Sequence, residues 1–147
     1  MPVTATPIFA QTPYAKSTSF AATTACTTRA PTATASLAGA NIFEICPVST
    51  NGRRIDKITV NACSSSITAP TAAQLVGIWL WDGTTAYLID EIVVALQTPS
   101  TTAGAFIVSK TYDTLVLPAA FKLFGSTTVT TTASTTALSV TVFGGDY

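Results

Sequence analysis

Residues 74–94 read QLVGIWLWDGTTAYLIDEIVV, two apolar runs joined across Asp82-Gly83. Asp-Gly between such runs is a strong hairpin signal, because a type I′ turn needs positive φ at both central residues and these two residue types accept it readily. We therefore predict a β-hairpin with a type I′ turn. The returning run loses its alternation near Asp90, which predicts a bulge between Leu88 and Asp90.

The first arm of this hairpin is apolar on both faces. Successive strand residues point to opposite faces, and the two sets are Val76, Ile78 and Leu80 against Leu75, Gly77, Trp79 and Trp81. One set can fill a core. The two tryptophans then need either a second layer or a partner.

Short apolar runs recur along the rest of the chain, separated by turn-forming residues. We expect about eight or nine strands and no helix, which predicts an all-β fold, an antiparallel two-sheet β-sandwich of jelly-roll type. Residues 1–38 are rich in Thr, Ala and Pro and are predicted to form an extended N-terminal arm with one or two edge strands. Residues 39–147 would form the sandwich domain. A solvated tail is the alternative for the arm.

Charge is scarce and balanced. Charged residues make up 10% of the chain, with seven basic and seven acidic groups, so there is no electrostatic reason to bind nucleic acid or an anionic membrane. The apolar runs are far shorter than the roughly 20 residues that span a bilayer. The start of the chain lacks a basic segment followed by an apolar one, so we expect no secretory signal and synthesis in the cytoplasm.

The residues that usually carry chemistry are few. There is no histidine, the commonest general base and metal ligand. Cys26, Cys46 and Cys63 are odd in number and lack C-x-x-C spacing, so we expect reduced thiols that fill apolar space. Asp90 and Glu91 are adjacent, and a strand would point them to opposite faces. We therefore predict no catalytic residue, no cofactor, no metal site and no enzymatic activity.

Five residues are candidates for contact with another protein. Trp79 and Trp81 carry large apolar area at little entropic cost, and Tyr87 on the facing strand could extend the same patch. The alternative for the tryptophans is the core between the sheets. Arg53 and Arg54, after a tight turn, could meet an acidic patch on a partner, with an ordinary exposed turn as the alternative.

Four segments together resemble a known family. They are GANIFEICPVSTNGRRIDKITVNA (39–62), LVGIWLWDGTTAYLIDEIVV (75–94), LVLPAAFKLFGST (115–127) and TVFGGDY (141–147). The family is that of the small capsid decoration, or cement, proteins of tailed phages and prophages. WDGTTAYL, LVLPAAF and FGGDY are the most specific motifs.

The resemblance implies a jelly-roll sandwich that binds the outside of an icosahedral shell. Such a protein bridges subunits of the major capsid protein, associates with itself as a dimer or trimer, and performs no chemistry. Its place would be the outer surface of the virion after synthesis in the host cytoplasm. No motif position marks a binding residue.

Two other classes share the sandwich. A receptor- or glycan-binding module of a phage fibre would bring aromatic and carboxylate side chains together in a pocket. A cell-surface or pilus subunit fits the Thr/Ala-rich composition, but the lack of an export signal speaks against it.

Overall fold

The computed structural model describes residues 12–21, 23–33, 42–134 and 136–147. The strands are β1 (Thr12–Phe20), β2 (Ile42–Cys46), β3 (Arg53–Ala62), β4 (Gln74–Trp81), β5 (Ala86–Val94), β6 (Ile107–Leu117), β7 (Lys122–Thr127) and β8 (Leu138–Asp146). The described residues contain no helix, and the strands form two antiparallel four-stranded sheets ordered β1-β8-β3-β6 and β2-β7-β4-β5. The predicted two-sheet sandwich is confirmed. The expected boundary after residue 38 lies outside the described residues.

The strands pair in a nested order around the central hairpin. β4 pairs with β5, β3 with β6, β2 with β7 and β1 with β8. Two further ladders, β3 with β8 and β4 with β7, complete the sheets. The described part of the predicted N-terminal arm thus contributes β1, an edge strand of the first sheet.

The core between the sheets is built from alternate strand residues. In β3, Ile58 and Val60 are fully buried, while Thr59 and Asn61 point outward. Each buried aliphatic side chain contributes about 1.5–3 kcal/mol relative to an exposed one. The same alternation supplies the other large core residues, which include Phe20, Ile55, Val76, Ile78, Leu123, Leu138, Val140 and Val142.

The central hairpin forms as predicted, but its turn does not. Four residues, 82–85, connect β4 to β5, and only Gly83 among them has positive φ, at 108°. The Oδ1 atom of Asp82 accepts hydrogen bonds from the backbone N–H groups of Thr84 at 2.9 Å and Thr85 at 2.8 Å. The predicted type I′ turn is therefore wrong, because the Asp82 carboxylate closes a longer loop instead.

The predicted bulge is confirmed, and it changes which face Tyr87 occupies. Ile78 lies opposite Asp90 and Trp79 opposite Leu88, so Ile89 is the extra residue. Beyond the bulge Tyr87 lies opposite Leu80, on the face turned toward the other sheet. The sequence had led us to expect that Tyr87 extends the face of Trp79 and Trp81. In the structure it lies on the opposite face of the sheet.

The two ends of the sandwich differ. One end, which we call the motif end, contains the short β2–β3, β4–β5 and β6–β7 connections and the C-terminus. Arg53 at this end lies beside both Leu117 and Asp146. The other end, the loop end, contains the longer β3–β4, β5–β6 and β7–β8 connections.

Gly144, in the C-terminal FGGDY motif, is required by close backbone approach. It lies opposite Ile55 where β3 carries a register shift. A Cβ atom at this position would overlap the carbonyl oxygen of Arg54, far inside van der Waals contact. The motif thus has a structural role at the motif end.

Gly144→Ala is expected to destabilise the fold by about 1–3 kcal/mol, because β8 or β3 must move to accept the methyl group. Urea unfolding followed by far-UV circular dichroism measures the change. Gly104→Ala is the matched control, since a Cβ there meets nothing within 4 Å. Equal stability of the two variants would contradict the close approach.

Candidate protein-interaction surface

Trp79 is buried on the outer face of its sheet, not between the sheets. Its side chain is 1% exposed, and its indole N–H donates to the Oγ atom of Ser126 at 2.8 Å. It forms a second apolar cluster with Cys26 and Ala86. The half-buried residues packed on this cluster are Ile42, Trp81, Leu88 and Phe124.

The layer over this outer face comes from the chain itself. The backbone N–H of Cys26 donates to the carbonyl of Thr127 at 2.8 Å. Thr32 and Ala86 exchange backbone hydrogen bonds of 3.1 and 2.7 Å. Residues 23–33 therefore cover part of the face that the sequence left needing a second layer or a partner.

Buried threonine hydroxyls anchor the start of this covering segment. The Thr131 hydroxyl donates to the Phe20 carbonyl at 2.6 Å, and the Thr23 hydroxyl lies 2.7 Å from that of Thr127 and 2.9 Å from that of Thr131. All three threonines are buried. These polar groups are satisfied in the interior, so the threonine-rich composition serves packing as well as strand formation.

The covering segment predicts unequal reactivity of the three thiols. Cys26 and Cys46 are buried, whereas Cys63 is exposed. We expect a bulky maleimide to modify Cys63 rapidly in the native protein, and Cys26 and Cys46 only when the structure opens. Mass spectrometry of the labelled peptides measures the rates. Cys63→Ser should abolish the fast phase, and fast labelling of Cys26 would show that residues 23–33 do not cover the sheet.

A groove of about 370 Å³ remains beside the covering segment. The Nε atom of Arg29 lies 2.8 Å from Glu91 Oε1 across it. Its other lining residues include Leu75, Leu88, Ser126 and Thr128. Trp79 also lines the groove, but at 1% exposure it offers no open ring face for stacking.

Four of the five predicted contact residues lie at the motif end. Arg53 and Arg54 begin β3, Trp81 ends β4, and Tyr87 lies near the start of β5. Trp79 lies farther from this end in β4, beneath residues 23–33. The structure thus brings together two groups of residues that were predicted for different reasons.

Arg53 is not the exposed turn residue or contact that the sequence suggested. It is 5% exposed and donates to both carboxylate oxygens of Asp146, at 2.6 and 3.1 Å. Its guanidinium lies 3.3 Å from the ring centroid of Tyr14 and donates to Cys46 Sγ and to the Pro47 carbonyl, both at 3.1 Å. The hydrogen bonds from Arg53 lower the pKa of Asp146. Arg53 therefore joins the two sheets at the motif end.

The residues that the motif end exposes are different. Arg54 forms an exposed ion pair with Asp56, at 2.7 Å. Val48, Tyr87 and Val116 are between 42% and 49% exposed. Trp81 is half-buried against Phe124 and Lys122. Arg54 and Tyr87 are therefore the predicted contact residues that this end most clearly offers to a partner.

The LVLPAAF turn at this end holds an unusual backbone conformation. Ala120 has φ 70°, and it is the one non-glycine residue with positive φ among the described residues. The backbone N–H of Phe121 donates to the Pro118 carbonyl at 3.2 Å, which closes the turn. Such a conformation costs about 1–3 kcal/mol and tends to occur at functional positions. The observation favours the motif end as a functional surface.

Two carboxylates brace the open sides of the sandwich. On the β1–β2 side, Glu44 accepts hydrogen bonds from Lys16 of the opposite sheet at 3.3 Å and from Lys122 at 3.0 Å. On the β5–β6 side, Asp90 accepts from Lys110 at 2.6 Å and Tyr112 at 2.7 Å. Burial would raise the pKa of both carboxyl groups, but these hydrogen bonds lower it below the usual range.

The fold is expected to lose stability in acid through these groups. Because the pKa of Asp90 is lower in the folded chain, the unfolded chain binds more protons as pH falls, and the contribution is lost from about pH 5 downward. Asp90→Asn should lower the free energy of unfolding by about 1 kcal/mol at neutral pH. This difference from the wild type should shrink as the pH falls. Chemical denaturation across this pH range tests it.

Asp56→Asn is the control for this pH series, because it removes only the exposed pair with Arg54. It should change stability little at any pH. If Asp90→Asn and the wild type differ in free energy of unfolding by the same amount at acid and neutral pH, the role given to the ionised carboxylate is wrong.

Within the described ranges, no group of three or more His, Cys, Asp or Glu side chains could hold a metal ion. The same part of the chain has no helix long and apolar enough to cross a membrane. Comparison of the chain with protein-family models, with curated proteins and with solved structures gave no match.

Proposed function

We propose that this protein is a structural virion protein that decorates and stabilises an icosahedral phage capsid. It binds the outer surface of the shell and bridges subunits of the major capsid protein. It performs no reaction. It is made in the host cytoplasm and resides on the outside of the virion.

The observation that carries the proposal is the convergence of motifs at the motif end. WDGTTAYL forms the β4–β5 connection, LVLPAAF the β6–β7 connection, and FGGDY the end of β8. These motifs also carry the resemblance to capsid decoration proteins. Tyr87 belongs to the first of them, and Arg54 lies between Val116 and Gly145 of the other two. The nested strand pairing further supports a jelly-roll winding, as expected for that family.

The mechanism is physical. A copy that contacts two neighbouring subunits adds buried area to the assembled shell alone, so binding favours the assembled state by mass action. The motif end suits this role because Arg53 joins β3 to β8 through Asp146 and contacts the other sheet through Cys46. A braced surface loses little entropy when it docks, so more of its contact energy remains for binding.

Purified protein mixed with undecorated capsids of its phage is expected to co-sediment at a fixed ratio. Combined Arg54→Glu and Tyr87→Ala should weaken this binding by about tenfold or more, as expected for an arginine and a tyrosine at an interface centre. Titration followed by centrifugation measures the ratio and the affinity.

Ile67→Ala is the matched control for this experiment, since Ile67 is 69% exposed on the β3–β4 connection at the loop end. It should bind like the wild type. Failure of the wild-type protein to bind any shell would overturn the proposal. If Ile67→Ala loses as much affinity for the capsid as the double variant does, the shell contact does not lie at the motif end.

The alternative function is a receptor- or glycan-binding module of a phage fibre. The groove lined by Arg29, Glu91, Ser126 and Thr128 is the observation that favours it, because carboxylate, guanidinium and hydroxyl groups meet there. Against it, the Trp79 ring is buried and cannot stack on a sugar. Binding of the whole protein to a glycan array, lost on Glu91→Gln, would favour this alternative.

A further inference from the structure

The edge of β6 stands out among the four sheet edges. β6 has 11 residues, the longest strand among the described residues, and it pairs there only with β3. A long open edge offers unpaired N–H and C=O groups to another strand, and soluble proteins usually protect such edges.

Each of the other three edges is protected. β1 carries Pro13, which has no N–H to donate, and β2 has only five residues. At the start of the β5 edge, Thr32 forms a β-bridge with Ala86. Further along the same strand, the Arg29 side chain donates a hydrogen bond to Glu91. Within the described residues, β6 is therefore the edge best able to accept a partner strand.

The sequence of β6 is complementary to itself when two copies run antiparallel. If Thr111 of one copy lies opposite Tyr112 of the other, Lys110 lies opposite Asp113. Further out, Ser109 meets Thr114, Val108 meets Leu115 and Ile107 meets Val116. Polar residues thus oppose polar ones, apolar residues oppose apolar ones, and the two charges are of opposite sign.

The irregularity in β6 makes the two flanks of this register, 107–109 and 114–116, consistent on both faces. Ile107 and Val116 are nine positions apart, and in a regular strand they would point to opposite faces. Their partners on β3, Asn61 and Arg54, both point outward, and residues paired across two strands share a face. The β3–β6 ladder shifts register between them. Ile107 at 68% exposure and Val116 at 49% therefore lie on the same outer face.

The inner positions match in the same way. Val108 lies opposite buried Val60, and Leu115 opposite buried Ile55. In the proposed register Val108 of one copy meets Leu115 of the other. The regular pairing covers residues 107–109 and 114–116, on either side of the register shift.

Asp113 supplies an independent argument from charge. Every other charged side chain in the sequence has a described contact. Lys57 lies over the Phe143 ring, Asp82 accepts hydrogen bonds within its loop, and the rest form ion pairs. Asp113 is exposed and has none among the described residues. Lys110, exposed on the same strand, uses one of its three N–H donors on Asp90.

We propose that the occupant of the β6 edge is a second copy of this chain. Two copies pair β6 with β6 about a two-fold axis and join their β1-β8-β3-β6 sheets into one eight-stranded sheet. Lys110 of each copy then meets Asp113 of the other, so the interface contains this pair twice.

The test is a charge exchange measured by analytical ultracentrifugation without any shell present. The wild type is expected to reach twice the 15.1 kDa of one chain as concentration rises. Asp113→Lys and Lys110→Asp should each weaken self-association by about tenfold or more, because like charges then face each other twice. An equimolar mixture of the two variants should dimerise again, since each lysine pair then meets an aspartate pair.

Two further variants make the result decisive. Ile107→Asp should also weaken the dimer, because a carboxylate would face Val116. Ala15→Lys, which adds a charge on the outer side of the β1 edge, should leave it unchanged. Circular dichroism establishes that each variant folds. A wild type that stays monomeric, variants that dimerise normally, or a mixture that does not recover would each overturn the inference.

This inference and the proposed function can fail separately. Self-association is measured in the absence of capsids, whereas decoration is measured by co-sedimentation with them. If Asp113→Lys is monomeric and still binds capsids, the β6 dimer and the shell contact are distinct surfaces, and both proposals stand. A dimer that binds no shell would leave the β6 interface intact and remove the decoration role.

Discussion

The structure depends on the fact that β4 is apolar on both of its faces. Val76 and Ile78 face the opposite sheet, while Trp79 on the other face is as deeply buried as they are. A strand of this kind is stable only between two layers. The opposite sheet is one layer, and residues 23–33 are the other. The segment after β1 is thus part of the fold's core architecture, although its own sequence is polar and irregular.

Charge in this protein is used mainly within the chain. The few charged groups form ion pairs that join elements distant in sequence, such as Arg53 with Asp146 and Lys16 with Glu44. Exposed pairs of this kind contribute little each, but Arg53 is buried, and loss of its partner would leave an uncompensated charge in the interior. Such a surface has few charges left for steering, so recognition depends on shape and apolar contact more than on long-range attraction.

The two proposed contacts adjoin at Val116, which is exposed at the motif end and also lies on the β6 edge. The motif end presents Arg54 and Tyr87 near the starts of β3 and β5. The β6 edge presents backbone groups, two exposed aliphatic side chains and the unpaired Asp113. Because the two β6 strands run antiparallel, the two motif ends of such a dimer point in opposite directions, so one dimer presents a single motif end to a given surface.

The sequence by itself determined the strands, the central hairpin and its bulge, because alternation and turn residues act over a few positions and are visible in the linear chain. It also singled out Trp81, Tyr87 and the Arg53-Arg54 pair as candidate contact residues, for separate reasons. Only the tertiary structure decided what covers Trp79, that Arg53 is buried on Asp146, and that Tyr87 faces the other sheet. These outcomes depend on contacts between residues up to about a hundred positions apart and on one extra residue in β5, and no local pattern specifies either.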